Sequence, residues 1–297
     1  MSALDIDISF ENEEKILNSR SKYPLNTMIE GLSNKDYHSA GGLSSTSIPL
    51  IGKSVRAFLF RHLLPKWKPC FDKGSLIHDC ILLPELVETS YIESPTVGMD
   101  TVAAKKLREE NPDKIIVGKG DIELYRQIAK LARVIFPFLA YESTKKEVSF
   151  FHYNKDIDLI LQIRPDIYNP DIGMLYDVKS TKANNHAEFE KLIESYNYDL
   201  SLAYYFDVLN MMGFRTSIFY TGWLCIPTDE SNPPFPFRIS QELLEKGRSK
   251  YQILIDKYKR YTEAVKKDGE TPNLIYDDVA EREAHSWEYR KENYIGA

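Results

Sequence analysis

Ile157-Asp-Leu-Ile-Leu-Gln-Ile-Arg-Pro-Asp-Ile167, the turn Asn169-Pro-Asp-Ile-Gly173 and Met174-Leu-Tyr-Asp-Val178 followed by Lys179 decide how this chain is read. The two runs are rich in β-branched and aromatic residues and are separated by strong turn formers, so they predict two strands joined by a tight connection. A third run, Glu147 to Tyr153, precedes them across Asn154-Lys155-Asp156, and the three together predict an antiparallel meander. Side chains alternate along a strand, so Gln162, Arg164 and Asp166 are expected on one face of the first run. Asp177 and Lys179 are likewise expected on one face of the second, with Cα atoms about 7 Å apart.

If the strands pair across the Asn169–Gly173 turn, two carboxylates and an ammonium converge at one end of a sheet. Carboxylates held that close repel unless a hard cation lies between them, and Mg²⁺ suits oxygen donors while keeping several waters. That grouping points to metal-assisted phosphodiester hydrolysis, with Lys179 orienting or helping to deprotonate the attacking water.

The flanks read as helices. Ser-rich Leu43 to Ile51 leads into an apolar-periodic stretch through Val55, Phe58 and Leu59, which predicts a helix from about Ser47. Pro65 and Pro69 are expected to break the chain, and helices are expected over Lys73–Leu83 and Ile122–Ala140, the latter interrupted near Pro137. Further helices are predicted at about 186–195 and 199–213, a strand over Ser217–Cys225, a proline-rich loop over Pro227–Pro236, and a long amphipathic helix from about Ser240 to Lys267. Residues 1–26 read as a loosely held polar tail and 27–297 as one domain: a helical part 27–140, a core 141–226 and a helical part 227–297.

Composition narrows the class. The net charge of -6 argues against a protein that coats nucleic acid over its whole surface. A local basic stretch runs from Lys53 to Lys73, with Arg56, Arg61, Lys66 and Lys68 against the single acid Asp72, and is a candidate for phosphate contact. Cys70, Cys80 and Cys225 form no CxxC pair, which argues against disulfides, zinc and iron–sulfur clusters. No apolar run is long enough to span a bilayer, so a soluble cytoplasmic protein is expected.

Pro165-Asp166, ten residues, then Asp177-Val178-Lys179 resembles the PD-(D/E)XK nuclease signature. Gly31-Leu-Ser-Asn-Lys-Asp-Tyr-His38 and Gly42-Leu-Ser-Ser-Thr-Ser47 are similar to the opening of phage and prophage exonuclease VIII (RecE-type) domains. Gly74-Ser-Leu-Ile-His78 resembles the Gly-x-x-x-His element of those nucleases. Tyr198-Asp-Leu-Ser-Leu-Ala-Tyr-Tyr205 resembles the Gln-x-x-x-Tyr helix, with Ser201 at the glutamine position.

The resemblance implies an α/β fold with a central mixed sheet flanked by helices. It implies a metal site of His78, Asp166, Asp177 and the Val178 carbonyl, a catalytic Lys179, and contributions from Glu147 and Tyr205. The implied cofactor is Mg²⁺, with Mn²⁺ as substitute. The implied activity is 5′ to 3′ degradation of linear double-stranded DNA from its ends, serving recombination, with a homo-oligomeric ring and a single-strand annealing protein as partners. An endonuclease or single-strand-acting enzyme of the same fold is the first alternative, and a non-catalytic DNA-end-binding protein the second. Each residue also has a plainer reading: Asp166 as a turn cap, Asp177–Lys179 as a strand-end ion pair, His78 and Tyr205 as core residues, and Ser44, Ser45 and Ser47 as helix caps.

Overall fold

A computed structural model describes residues 21–59, 69–229 and 231–268. The side chains of Arg56, Arg61, Lys66 and Lys68, most of the basic stretch, lie outside the described residues, as do residues 1–20 of the expected tail and everything beyond Asp268.

Ten strands are described: β1 (Met28–Ile29), β2 (Tyr91–Glu93), β3 (Ile115–Val117), β4 (Lys145–Lys146), β5 (Ser149–Asn154), β6 (Leu159–Ile163), β7 (Ile167–Asn169), β8 (Met174–Thr181), β9 (Thr221–Pro227) and β10 (Phe235–Arg238). The helices are α1 (Asn34–Ser39), α2 (Ile48–Lys53), α3 (Val55–Leu59), α4 (Pro69–Leu82), α5 (Pro84–Ser90), α6 (Val102–Glu110), α7 (Asp121–Ile135), α8 (His186–Ser195), α9 (Tyr198–Met211) and α10 (Gln241–Asp268).

The central sheet is mixed, in the order β10-β9-β8-β7-β4, with β8 and β9 parallel and the other neighbours antiparallel. Two-sided burial explains the composition of its middle. β9 is buried along its whole length and β8 is buried over Met174–Val178, so both read as near-continuous apolar runs. Alternation on β8 serves two cores. Leu175 packs with Trp223 and Cys225 into the cluster that takes in α8, α9 and α10, while Met174, Tyr176 and Val178 pack with Leu224 and Ile226 against α4 and α7. The fold is therefore α/β, with a mixed sheet between helical layers.

The meander is not one sheet. The run expected as a single strand over Ile157–Ile167 breaks at Arg164–Asp166, and its two halves join different sheets: β6 lies in the three-stranded sheet β1-β5-β6, and β7 in the central one. Pro165 has no N–H to give a ladder, and the strand ends there. The opposing segment breaks in the same place, because β4 pairs with β7 while β5 pairs with β6. A two-stranded ribbon thus passes from one sheet to the other at Glu147–Val148 and Arg164–Asp166.

Other expectations shift at their edges. The helix expected from Ser47 is divided by Ser54 into α2 and α3; of the two prolines expected to break the chain, Pro65 lies outside the described residues and Pro69 lies in α4. The expected strand at Ser217 begins only at Thr221 after a 3₁₀ turn, and the last two residues of the expected proline-rich loop, Phe235 and Pro236, begin β10. Among the described residues no helix is long and apolar enough to cross a membrane.

Candidate active site

Asp177 and Lys179 sit on the face of β8 that looks towards α9, as strand alternation requires, and their side chains form an ion pair. The β7–β8 register pairs Ile167 with Tyr176, which brings Asp166 alongside Asp177 at the point where the ribbon changes sheet. Asp166 is nearly buried and is held by the main chain: its Oδ2 accepts from the Val178 N–H at 2.6 Å. Asp166 does not cap the turn. That role falls to Asn169, whose Oδ1 accepts from the N–H groups of Asp171 and Ile172.

His78 approaches from α4. Its Nε2 lies 3.0 Å from Asp166 Oδ1 and its Nδ1 3.1 Å from Glu147 Oε1, so one imidazole bridges two carboxylates. Gly74, one turn earlier, faces Ser180. A Cβ there would meet the Ser180 Oγ at 3.7 Å, ordinary contact, so the spacing does not demand glycine on steric grounds.

Glu147 occupies the ribbon bend with a φ of 54°, a left-handed conformation that costs a non-glycine residue energy and recurs at functional sites. Its N–H donates to the Asp166 carbonyl at 3.1 Å, and its Oε2 lies 2.5 Å from Arg164 Nε. Arg164 is partly buried and also donates to the carbonyls of Glu147 and Leu32 and packs over the Tyr37 ring.

The electrostatics follow from crowding buried charge. Burial works against charge on His78, but Asp166 and then Glu147 outweigh it and push its pKa up to about 9. Burial also opposes ionisation of Asp166, yet His78 and Lys179 hold its carboxyl well below the usual range. Burial and the adjacent Asp166 push Asp177 up to about 7 against the pull of Lys179. For Lys179, burial favours the neutral amine, but Asp177 and Asp166 keep the proton on, above the ordinary lysine range. Lys179 is therefore a held cation in this arrangement.

Ligand atoms of His78, Glu147 and Asp166 all lie within 4.8 Å of one another, the spacing of a single ion's coordination shell. Two carboxylates and one imidazole form a donor set that fits Mg²⁺ or Mn²⁺ better than a soft metal. Of the residues expected at the metal, His78 and Asp166 meet there and Glu147 joins them; Asp177 borders the group through Asp166 and is engaged by Lys179. The Val178 side chain points into the core, and its N–H serves Asp166.

Tyr205 is buried beside the site, with its hydroxyl accepting from Ser45 Oγ at 3.2 Å. It is Tyr198, seven residues earlier on the same helical stripe, that reaches Lys179: the ammonium lies 5.2 Å from the centre of its ring. Ser201 falls between them on that stripe. Ser47 stands at the N-cap of α2 but makes no side-chain cap bond, and its hydroxyl exchanges hydrogen bonds with Ser44 instead.

Residues 55–273 match the model of a family described as a PDDEXK-like domain of unknown function (DUF3799). The chain belongs to this family. No curated protein matches this PDDEXK-like chain. A solved structure from Eubacterium rectale, named "Putative exonuclease", is similar with a TM-score of 0.50 at 12% identity, over 78% of this chain and 88% of that one. That likeness concerns the fold. Asp166, Asp177 and Lys179 lie within the residues matched by the PDDEXK-like family model.

Two residues of this PDDEXK-like site were not legible in advance. Arg164 carried only its strand parity as a signal, and its link to Glu147 depends on a bend that brings residues 17 apart into contact. Tyr198 was part of a motif but carried no role, because its distance from Lys179 depends on how α9 docks on β8.

Proposed function

We propose that this protein is a Mg²⁺-dependent exodeoxyribonuclease that hydrolyses linear double-stranded DNA from its ends, 5′ to 3′, with Mn²⁺ able to replace Mg²⁺. The observation that carries the reading is the meeting of His78, Glu147 and Asp166 within one coordination radius, next to the Asp177–Lys179 pair. The Eubacterium rectale structure's name supports an exonuclease rather than another chemistry on the same fold.

A divalent ion bound there supplies an acidified water and neutralises charge on the phosphoryl oxygens. Asp166, fixed by the Val178 N–H, and His78 and Glu147 would hold that ion. Lys179, kept protonated by Asp177, would donate to a non-bridging phosphate oxygen or orient the attacking water, which stabilises the charge that builds in the transition state. Asp177 would keep that ammonium aimed and set its charge. Residues 27–297 would act as one nuclease domain, with a homo-oligomeric ring and an annealing partner as further parts of the proposal.

Digestion of 5′- and 3′-labelled linear duplex with Mg²⁺, beside a covalently closed circle, tests this. Release of 5′ label with circles spared supports it; cut circles transfer the reading to an endonuclease, and intact linear duplex removes the enzyme.

A further inference from the structure

Tyr196 and Tyr198 flank Asn197, whose φ of 54° places a non-glycine residue in the left-handed region between α8 and α9. This kink turns both tyrosines to the same side. Their rings stack nearly parallel, with centroids 5.4 Å apart and planes at 22°. Tyr198 also stacks on Phe189 at 5.8 Å and 19°, and Phe189 is fully buried against Trp223. The result is a short column of rings that starts in the core, passes Lys179 at Tyr198 and ends at Tyr196, which is 58% exposed.

A flat ring presented to solvent, backed by a rigid stack and one ring away from the held ammonium, has the form of a surface for another flat ring. Base–aromatic stacking tolerates any base because each has a π-face. We infer that Tyr196 is a stacking platform for an unpaired nucleobase of the strand whose phosphate lies at Lys179. This rests on the nuclease reading above and adds to it a contact with a base.

An interior base of a duplex has both faces covered by its neighbours, so only a base at or beyond the duplex end has a face to offer, and an unpaired one is free to turn onto the ring. The platform would therefore hold a frayed or single-stranded terminal nucleotide, and the column behind it would fix the distance between that base and the phosphate being cut. Tyr198 contributes as the ring between platform and lysine, and Asn197 by the turn that aligns them.

The test uses the full chain with linear duplex bearing a short unpaired end and 2-aminopurine at successive positions, bound in Ca²⁺ to hold off turnover. It is paired with steady-state cleavage in Mg²⁺. Wild type and Tyr196→Phe are expected to quench the probe at one position. Tyr196→Ala and Tyr196→Leu are expected to lose that quenching and raise KM about 5- to 150-fold with kcat nearly unchanged, the change that one lost stack produces. Tyr196→Leu keeps apolar bulk without a π-face, so restored quenching or KM in that variant would reduce Tyr196 to packing and overturn the proposal. A wild type that cuts DNA while Tyr196→Ala matches it in both readouts also overturns the platform and leaves the nuclease reading standing. A wild type that neither binds nor cuts removes the nuclease reading, and the platform with it.

Discussion

Glu147 donates its backbone N–H to the Asp166 carbonyl at 3.1 Å, at the point where a two-stranded ribbon leaves one sheet and enters another. The same bend that ends both ladders places the two carboxylates on either side of His78. Several consequences of this arrangement are measurable.

Asp166→Asn keeps an oxygen for the Val178 N–H but removes the charge. The variant is expected to fold and to lose Mn²⁺ affinity by tenfold or more, since a neutral amide replaces an anionic ligand at a hard-cation site. Calorimetric titration with Mn²⁺ reads this directly, and wild-type affinity in the variant would exclude Asp166 as a ligand.

Lys179→Ala removes the cation that the proposed mechanism places at the reacting phosphate. The expected loss in kcat is about 10²- to 10³-fold, of the order seen when one preorganised charge-stabilising donor is deleted. Asp177 then lacks its counter-charge and takes up a proton, so circular dichroism should show an intact fold. Full activity in this variant would contradict the role given to Lys179.

The metal-free protein should lose stability as pH rises. Asp177 is raised from 3.8 to about 7, and an acid raised on folding binds its proton more tightly when folded, so its contribution falls away across that window. His78 is raised from 6.5 to about 9, and its contribution is complete below 6.5 and lost as pH passes about 9. Metal binding must displace the His78 proton, so apparent Mn²⁺ affinity should climb with pH up to about 9 and then level off. Thermal melts in chelator across this range, with and without Mn²⁺, check both signs. A metal-free melting temperature that rises with pH would refute the assignment.

Arg164→Met removes the partner at 2.5 Å from Glu147 and leaves His78, at 3.1 Å, as its ionic partner in a largely covered setting. Leaving a buried charge wholly unpaired costs about 3–5 kcal/mol, and with His78 still beside Glu147 urea denaturation should show a measurable loss below that range. A change within error of zero would mean that Arg164 is not what holds the bend.

Gly247 lies where α10 crosses the start of α9, and an added Cβ would stand 2.2 Å from the Asp199 carbonyl oxygen. Gly247→Ala must push the two helices apart. The expected cost is about 1–3 kcal/mol, with cleavage falling as well because α9 carries Tyr198 and Tyr205. A variant as stable and active as wild type would show that the contact relaxes freely.

How much of this could be read from residues alone varied with sequence separation. The Asp177–Lys179 pair and the β7–β8 pairing were legible because strand alternation and the Asn169–Gly173 turn act locally. His78 was legible only through its spacing from Gly74. The division of the Ile157–Ile167 run between two sheets was signalled by Pro165 but not decided by it, because partner choice depends on segments β4 and β5 a full connection away. Short strands such as β1, β2, β3, β4 and β10 owe their existence to neighbours rather than propensity, and two- to four-residue runs carry too little pattern to announce themselves. The links from Arg164 to Glu147 and from Tyr198 to Lys179 are tertiary contacts, so no local rule predicts them.

The change of sheet at Glu147 and Asp166 also bears on when the candidate metal site exists. The ligand atoms come from helix α4, from the bend after β4 and from the bend before β7, three pieces with no common local neighbourhood along the chain. A nascent or partly unfolded molecule cannot chelate at this site, because the ligands do not meet until helix and both sheets have docked. An ion captured there would act as a clasp between separately formed parts, so chelator sensitivity of global unfolding and onset of cleavage during refolding should share one rate.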